Sequence, residues 1–438
     1  MSARPTNLRE AHAHLPWHAR ALSMVRLDAC TSAGECLDLL AARAATLAPD
    51  EWLMAVAARV QAWEEGAWPP LAALNKASGG HPCVVMSFDL HSAMANTKAL
   101  DLSGVLQSTP AGGVVCTDNR GQPSGVLLEA AAQRAFQSAP EPTREQWRGL
   151  LPFALQDLAR HGFTEVHDLL APAWLGPMLA AIDRRGELPL SVRLFVPYAE
   201  LGRALAERSG WTTDRVSLAG AKLFADGTLN SRTAHVLTPC ADPLPDHPHG
   251  TIITDTATLQ RAIEETARLG MQLAVHAIGD AAVRSVLDAA EGALSALRSY
   301  VRHGRLGHER ARAGHVRIEH CELIDEADVP RFAQLGVTAS VQPCHLLADI
   351  EALRRYFPHR LQRVLPLREL IDAGLEPGRT LIFGSDVPVV RPDPEDSIHA
   401  AVYRRREGMG EGEAIAPAHA ITEAEAWACF RPAYPLTS

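Results

Sequence analysis

Short apolar segments alternate with predicted helices through the second half of this 438-residue chain, and this alternation constrains its fold most strongly. Seven segments have the length and composition of buried strands: 162–168, 190–197, 216–224, 271–276, 315–320, 337–342 and 380–385. The predicted helices between them include 174–185, 257–269, 280–298, 325–335 and 366–373. Gly270 and Gly336 follow two of these helices, at the position where glycine commonly ends a helix. Strands separated by helices predict βαβ units and a parallel sheet.

Residues 8–14 supply an eighth strand, and eight such units predict an α/β fold of the closed (β/α)8 TIM-barrel type. Functional residues of such a barrel lie at the carboxyl ends of its strands. An open doubly wound sheet is the structural alternative, and it would gather ligands at one switch point. The predicted organisation is the first strand in 1–14, the first helix with an insertion in 15–160, the remaining barrel in 161–410 and a helical tail in 411–438.

The segment 15–160 is too long for a single connection between a strand and a helix. It is predicted to contain one strand at 83–89 and helices at 35–47, 50–64, 126–137 and 143–160. We interpret it as the first barrel helix followed by a lid subdomain over the barrel mouth.

Bulk composition excludes several classes of partner. The net charge is −9 and no basic run is present, so nucleic acid is not an expected partner. No apolar stretch reaches the roughly 18 residues needed to span a membrane. Eight cysteines without C-x-x-C spacing predict reduced thiols rather than a disulfide framework. With no basic and apolar leader at the start, these features predict a cytoplasmic protein.

Histidines and one aspartate stand where the predicted strands end. His12 and His14 are two residues apart and so point to the same face of their strand, while His276 and His320 each close a strand and Asp386 follows the last one. Each has an ordinary alternative: exposed histidines near the terminus, core histidines bonded to a carbonyl, or a capping aspartate. Their joint placement at strand ends predicts a metal site.

Lys222 lies inside a strand expected to be buried, where an unpaired charge is rarely found. Burial lowers the pKa of a lysine, and the resulting neutral amine can react with carbon dioxide to give a carbamate. A carbamate is a two-oxygen anion that can bridge two cations. The alternative is an ion pair between Lys222 and the nearby Asp226.

Several segments together resemble the amidohydrolase superfamily, and within it amidohydrolase family 3. They are His12-Ala-His14, FDLHSAMANTKAL (88–100), GFTEVHD (162–168), AKLFADGTLNSRTA (221–234), AVHAIGDAAV (274–283), RIEHCELI (317–324), FGSDVPV (383–389) and IHAAVYR (398–404). The resemblance extends from residue 12 to about residue 404.

This resemblance implies a binuclear metal centre holding two divalent ions, with zinc expected and manganese or iron as alternatives. One ion would bind His12, His14 and Asp386, the other would bind His276 and His320, and a carboxylated Lys222 would bridge them. A hydroxide shared by the two ions would attack an amide-type carbonyl. Asp386 would be the catalytic residue that takes the proton and delivers it to the leaving nitrogen.

Other polar residues are weaker candidates for contacts with a small-molecule substrate: His91, Asn96, Asp226 and Arg232. Arg232 would bind a substrate carboxylate. The alternatives are structural polar contacts and a solvated arginine. Asp168 and Asp280 are candidates for orienting metal-bound histidines.

The chain departs from the family at its ends. The usual β-sandwich is reduced or absent, since only 11 residues precede His12, and Leu8-Arg9-Glu10 replaces the usual glycine and aspartate. We expect either a compact natural form or a truncated one, with a first strand prone to fraying. Apolar surface that the sandwich would cover predicts a homo-oligomer, specifically a dimer.

The predicted function is hydrolysis of a carbon–nitrogen bond other than a peptide bond, in an amide, N-acyl or formamide-type substrate. One alternative is a metal-dependent deaminase on the same barrel. Such enzymes commonly use one metal without a lysine bridge, so Lys222 argues against it. The other alternative is a catalytically degenerate barrel that acts as a binding protein.

Overall fold

The computed structural model describes residues 6–60, 63–87, 92–110, 113–244, 246–302 and 315–432. The chain divides into two compact units. One, called the barrel unit, combines Met1–His18 with Pro152–Ser438, and the other, called the inserted unit, is Ala19–Leu151. The inserted unit therefore falls within the segment 15–160 that the sequence separates from the barrel.

The secondary structure of the described residues is numbered along the chain. The strands are β1 (Leu8–Ala13), β2 (Val25–Arg26), β3 (Leu53–Ala58), β4 (Cys83–Ser87), β5 (Ser92–Ala95), β6 (Gly113–Thr117), β7 (Pro123–Glu129), β8 (Phe163–Asp168), β9 (Ser191–Pro197), β10 (Val216–Phe224), β11 (Gln272–Ala277), β12 (Val316–His320), β13 (Thr338–Val341) and β14 (Leu381–Phe383). The α-helices are α1 (Leu15–Ser23), α2 (Ala33–Ala44), α3 (Leu71–Ala77), α4 (Thr97–Ser103), α5 (Ala130–Gln137), α6 (Arg144–Arg160), α7 (Leu175–Arg184), α8 (Leu201–Glu207), α9 (Thr256–Leu269), α10 (Asp280–Arg302), α11 (Val329–Leu335), α12 (Pro343–Ala348), α13 (Ile350–Tyr356), α14 (Leu367–Asp372), α15 (Pro394–Tyr403) and α16 (Glu423–Cys429).

The predicted (β/α)8 barrel is confirmed. Eight strands of the barrel unit run parallel in the order β1-β8-β9-β10-β11-β12-β13-β14. A parallel bridge between Ala13 and Val387 joins the chain beyond the last strand to the first strand, so the sheet is nearly closed. The carboxyl ends of all eight strands consequently meet at one end of the barrel.

Two predicted helix ends are also confirmed. Gly270 and Gly336 close α9 and α11 with φ values of 69° and 68°. Glycine adopts this left-handed conformation without a steric cost. In each case the next strand begins two residues later, so these glycines set where β11 and β13 start.

The first strand is held on both sides. All six residues of β1 are buried, and the amide of Leu8 donates to the carbonyl of Gly162 at 3.1 Å. The buried carboxylate of Glu10 accepts hydrogen bonds from the amides of His12 and Ser385 at 2.9 Å and from the Ser385 hydroxyl at 2.9 Å. These contacts tie β1 to the chain after β14 and oppose the fraying expected of this strand.

The inserted unit differs from its predicted content. It contains a six-stranded sheet in the order β2-β3-β4-β5-β7-β6, in which β2, β3 and β4 are parallel and the other pairs are antiparallel. The helix predicted at 50–64 is wrong because β3 occupies its centre. The helix predicted at 126–137 is only half correct, since β7 extends to Glu129 and α5 follows it.

The reason for these errors is burial on both faces of the sheet. Leu53 and Ala55 pack in one apolar cluster with residues of α2, while Met54 between them packs in a second cluster with residues of α5. A strand covered on both faces has no alternation of apolar and polar residues, and such a run resembles a buried helix in the sequence.

The sequence predicts reduced thiols and no segment long enough to span a membrane. All eight cysteine thiols are free, and seven of them are buried. In the described ranges no helix is both long enough and apolar enough to cross a bilayer.

The segment 411–438 contains α16. Phe430, the residue after this helix, packs its ring 5.6 Å from that of Phe383 in the barrel.

Candidate metal centre

Five barrel strands bring the six predicted metal ligands to the same end of the barrel. They are His12 and His14 at the end of β1, Lys222 in β10, His276 in β11, His320 at the end of β12 and Asp386 after β14. The imidazole rings form a continuous group, with centroids 4.9 Å apart for His12 and His320 and 4.4 Å apart for His276 and His320. The structure thus assembles the residues that the sequence places at separate strand ends.

His12, His14 and Asp386 form the tightest part of this group. Their candidate ligand atoms all lie within 4.8 Å of one another. Nε2 of His14 is 2.9 Å from Oδ1 of Asp386, and Nε2 of His12 is 3.5 Å from the same oxygen. Asp386 has a φ of 60°, an unusual conformation for a residue with a side chain, and such strain is concentrated at functional sites.

A buried carboxylate fixes the orientation of His12. Nδ1 of His12 donates to Oε2 of Glu319 at 2.7 Å, because a carboxylate can only accept. Burial by itself would raise the pKa of Glu319, but the charge of Arg317 and the contact with His12 outweigh it and hold the pKa well below its usual range. An ionised Glu319 leaves Nε2 of His12 as the nitrogen with a free lone pair, which is a common arrangement for metal-binding histidines.

Arg317 connects Glu319 to the interior of the barrel. Its Nε donates to Oε1 of Glu319 at 2.5 Å, and its Nη1 lies 2.8 Å from Nδ1 of His167. His167 in turn contacts Oε1 of Glu165 at 2.8 Å through Nε2. Since these side chains come from β8 and β12, a polar network inside the barrel supports the ligand on β1.

Backbone geometry turns His320 toward the other imidazoles. Side chains alternate between the two faces of a strand, and Glu319 already reaches His12 from the interior face of β12. His320 and Cys321 have φ values of 72° and 51°, and this left-handed turn breaks the alternation at the strand end. Two such residues cost of order 1–3 kcal/mol each, which a functional requirement would explain.

The imidazoles of His12, His276 and His320 are neutral at ordinary pH. Burial, reinforced by the charge of Lys222, lowers the pKa of His12 to about 4 and that of His276 to about 3. The same burial holds the pKa of His320 well below its usual value. A neutral imidazole has the lone pair that metal binding requires.

Lys222 is buried without a carboxylate partner. Only 2% of its surface is exposed, and in the described part of the chain its Nζ forms no ion pair and lies 5.2 Å above the ring centre of Phe224. The predicted alternative, a pair with Asp226, is not realised. Burial lowers the pKa of Lys222 to about 8, although Glu319 and Asp386 partly oppose this change.

Two buried atoms fit a bound cation. Within the described ranges, Nδ1 of His320 and Oδ1 of Asp386 are buried and have no hydrogen-bond partner. The 2.9 Å approach of Nε2 of His14 to Oδ1 of Asp386 therefore lacks hydrogen-bond geometry. Buried polar atoms without partners are rare because they lose the free energy of hydration. Imidazole nitrogens and a carboxylate oxygen are the ligands of zinc, manganese and iron, so this donor set fits a divalent metal.

His345 is a member of the group that the sequence did not indicate. It lies in α12, with Nε2 at 4.0 Å from Oδ2 of Asp386 and Nδ1 at 3.8 Å from Oε1 of Glu322. With His320 and Asp386 it forms a second set of candidate metal ligands. Burial would lower its pKa, but Glu322 and Asp386 outweigh that effect and raise the pKa to about 9. Its position in Gln-Pro-Cys-His, directly after β13, is the signal that could have identified it.

The residues predicted to contact substrate have partners within the chain. His91 lies outside the described residues. The Asn96 amide accepts from the backbone of Cys83 and Ala99 and donates to Ser78 and His81. Asp226 accepts from three backbone amides, and Arg232 pairs with Asp242 at 3.0 Å. Each of these three side chains is thus engaged within the chain, and its contact with substrate stays a prediction.

The two carboxylates predicted to orient histidines instead support the backbone. Asp168 accepts from the amides of Leu15 and Leu170, and burial raises its pKa to about 6. Asp280 accepts from the amide of Leu237 and from Arg360. Glu319 takes the role expected of them, because its carboxylate contacts Nδ1 of His12.

Comparisons with known proteins agree with this arrangement. A family model described as "Amidohydrolase family" matches residues 8–434. The chain is 27% identical over 408 residues to the "Putative amidohydrolase YtcJ" of Bacillus subtilis (strain 168), covering 90% of this chain and 72% of that protein. It is 24% identical over 438 residues to the "N-substituted formamide deformylase" of Arthrobacter pascens, covering 95% of this chain and 76% of that protein.

A solved structure has the same fold. The crystal structure of an uncharacterized metal-dependent hydrolase from Pyrococcus horikoshii OT3 matches with a TM-score of 0.72 and 24% sequence identity. The match covers 97% of this chain and 79% of that one.

Proposed function

Because this chain belongs to the amidohydrolase family, a family of metal-dependent hydrolases, we propose that it hydrolyses a carbon–nitrogen bond other than a peptide bond. The substrate would be a small molecule with an amide, N-acyl or formamide-type group. The relative from Arthrobacter pascens, named as a deformylase of N-substituted formamides, supports this class of bond.

The observation that supports the proposal most directly is the convergence of unpartnered ligand atoms at the strand ends. His12, His14 and Asp386 place their ligand atoms within 4.8 Å of one another, and the buried Oδ1 of Asp386 has no hydrogen-bond partner. A protein built only to fold would satisfy this oxygen. A site that binds a cation would leave it free, as found.

The residues available for two divalent ions divide into two groups. His12, His14 and Asp386 would hold one ion, His276 and His320 would hold the other, and Lys222 as a carbamate would contact both. To form that carbamate, the neutral Nζ amine attacks the carbon of carbon dioxide, an N–C bond forms and one proton leaves to solvent. When bound, such ions acidify water and polarise a carbonyl group.

Asp386 has the position and charge state of the proton carrier. Burial by itself would raise its pKa, but the imidazoles of His12 and His14 hold the pKa well below its usual range, so the carboxylate is ionised. It would take the proton released as water adds to the carbonyl carbon, and then give it to the nitrogen as the C–N bond breaks. Glu319 keeps His12 in one tautomer throughout.

Metal analysis combined with a hydrolysis assay tests the proposal. We expect about two equivalents of zinc, manganese or iron per chain after supply of metal and bicarbonate, and release of an amine from N-formyl or N-acyl compounds. Lys222→Ala should lose about one equivalent, whereas Lys98→Ala, at an exposed lysine, should lose none. Metal content near zero in the supplied wild type, or release of ammonia from an amidine instead of hydrolysis of an amide, would contradict the proposal.

Two further properties stay predictions. A homodimer is expected from the sequence, and a cytoplasmic location from the composition. Sedimentation at micromolar concentration tests the first, and fractionation of source cells tests the second.

A further inference from the structure

Three exposed apolar side chains lie two or three residues after His14, Asp168 and Asp386, at the carboxyl ends of barrel strands. They are Trp17, Leu170 and Val389, with 64%, 38% and 54% of their surfaces exposed. The strands concerned, β14, β1 and β8, are neighbours in the barrel. Single exposed apolar residues are common, but a group of them beside a polar site is typical of ligand-binding surfaces. We call these three residues the apolar rim.

Trp17 is fixed beside a candidate metal ligand. Helix α1 begins at Leu15, directly after His14, which places Trp17 in its first turn. The ring centroids of His14 and Trp17 are 6.0 Å apart. The indole therefore lies next to the imidazole while most of its surface is open to solvent.

Hydrogen bonds to the backbone attach Leu170 and Val389 to the strand ends around His14. The carboxylate of Asp168 accepts from the amide of Leu15 at 2.7 Å and from that of Leu170 at 3.2 Å, so it joins the start of α1 to Leu170. The amide of His14 donates to the carbonyl of Val387 at 2.9 Å. The amide of Val389 donates to the carbonyl of Asp386, also at 2.9 Å. All three rim residues are thus anchored to the strand ends around His14.

Charged groups in the loops nearby are already paired. Arg232, in the loop after β10, binds the carboxylate of Asp242 at 3.0 Å. Arg391, two residues beyond Val389, binds both oxygens of Asp396 at 2.5 and 2.6 Å. Neither arginine offers a free charge to a substrate carboxylate.

We infer that the apolar rim binds an uncharged apolar substituent of the substrate, so that the preferred substrates are amides or formamides bearing an alkyl or aryl group and no carboxylate. This inference rests on the proposed function, because it takes the bond to be cleaved at the adjacent metal centre. A ligand site that is mostly apolar with a few convergent polar groups is the usual form for a small molecule. The polar groups here are the ligands of the centre, and the apolar part is the rim.

Matched substrates test this inference. We expect the metal-loaded wild type to cleave N-hexylformamide with a kcat/KM at least about tenfold above that for N-(5-carboxypentyl)formamide, which has the same chain with a terminal carboxylate. A second pair, N-methylheptanamide and its terminal carboxylate derivative, tests an apolar group on the acyl side. Equal rates within both pairs would overturn the inference.

Substitutions in the apolar rim test whether its residues cause the preference for an apolar substituent. Trp17→Ala should reduce kcat/KM for N-hexylformamide about tenfold and that for N-methylformamide, which is too short to reach the rim, less than about twofold. Val389→Asn should act in the same direction. Phe153→Ala, at an apolar residue with 69% exposure on α6, is the matched control and should leave both values unchanged. Metal content measured on each variant should equal that of the wild type.

A binding measurement separates this inference from the proposed function. Calorimetry with N-hexylformamide and its carboxylate analogue does not require turnover. Preferential binding of the uncharged compound, lost in Trp17→Ala, would support the rim even if no amide were cleaved, and that result would contradict the proposed function alone. Cleavage without any preference would contradict the rim alone. Concentration-dependent self-association that Trp17→Ala abolishes would assign the rim to a second copy of the chain and overturn the inference.

Discussion

The ligands on the two sides of the candidate metal centre are held by different means. His12, His14 and Asp386, which we call the seam group, lie where the first and last barrel strands meet. Glu319 orients His12, and Glu10 binds the amides of both His12 and Ser385. Hydrogen bonds of the folded chain therefore fix the ring of His12 and the backbone around this group before any ion binds.

Lys222, His276 and His320, which we call the far group, lack comparable support. Nζ of Lys222 rests over the Phe224 ring, and Nδ1 of His320 has no partner among the described residues. Nε2 of His276 donates to the carbonyl of Gly227 at 3.0 Å, which leaves Nδ1 as its ligand atom. Burial and backbone strain, rather than hydrogen bonds to carboxylates, characterise this group.

This difference indicates which ligands favour metal affinity and which ones lower the stability of the metal-free protein. A preorganised ligand loses little entropy when an ion binds, so the seam group is expected to have the higher metal affinity. The far group holds a buried amine and unpaired polar atoms whose burial lowers stability until they are neutralised or ligated. We therefore expect the first equivalent of metal at the seam and the second only after Lys222 is carboxylated.

The largest effect is expected from removing the charge of the seam group. Asp386→Asn keeps the shape of the side chain but abolishes proton transfer and one charged ligand, so amide hydrolysis should fall about 10³-fold or more. Steady-state kinetics with a cleavable N-formyl compound measures this loss. Asp255→Asn, at the exposed cap of α9, should retain full activity. More than a tenth of the wild-type rate in Asp386→Asn would show that another residue carries the proton.

The next largest effect is a change with pH in the free energy of unfolding, caused by Lys222 of the far group. The pKa of Lys222 is lowered to about 8 in the folded chain from 10.5. Between these values the unfolded chain binds the additional proton, so the contribution of Lys222 to the free energy of unfolding rises with pH and is least favourable below pH 8. Relative to Lys222→Met, the chelator-treated wild type should gain about 3 kcal/mol as the pH rises from 7 to 11.

Urea unfolding at a series of pH values measures this gain. Taking the difference between the two proteins cancels groups whose titration the substitution leaves unchanged. Lys98→Met, at an exposed lysine, should give a difference that does not vary with pH. A flat difference for Lys222→Met as well would mean that the amine is not buried as the structure describes.

The smallest of these effects concerns the support of the seam group. Glu319→Gln removes the negative charge that orients His12, and metal affinity should fall about 10–100-fold. Competition with a chromophoric chelator measures the affinity. Glu165→Gln, farther along the same network, should change it less than about threefold, because His167 and Arg317 separate it from His12. Equal losses in both variants would mean that the network acts as one unit rather than through Glu319.

Much of the barrel could be predicted because its signals are local. Gly270 and Gly336 end helices by their own backbone freedom, and the strands after them are short, apolar and bounded. Strand ends of a closed parallel barrel share one edge, so residue positions in the sequence already indicated that His12, His276 and Asp386 converge. The sequence by itself thus determined the fold class and proposed the six candidate ligands.

Other features depend on contacts between distant segments, and only the tertiary structure decided them. β3 is indistinguishable from a helix until both faces of its sheet are seen to be covered. Glu319 is 307 positions from His12, and His345 reaches Asp386 from a different strand connection. Arg232 and Asn96 have side chains suited to binding a substrate, yet each is engaged within the chain. Residue type and spacing specify which groups can meet, but the partner that each one takes depends on where the fold brings the rest of the chain.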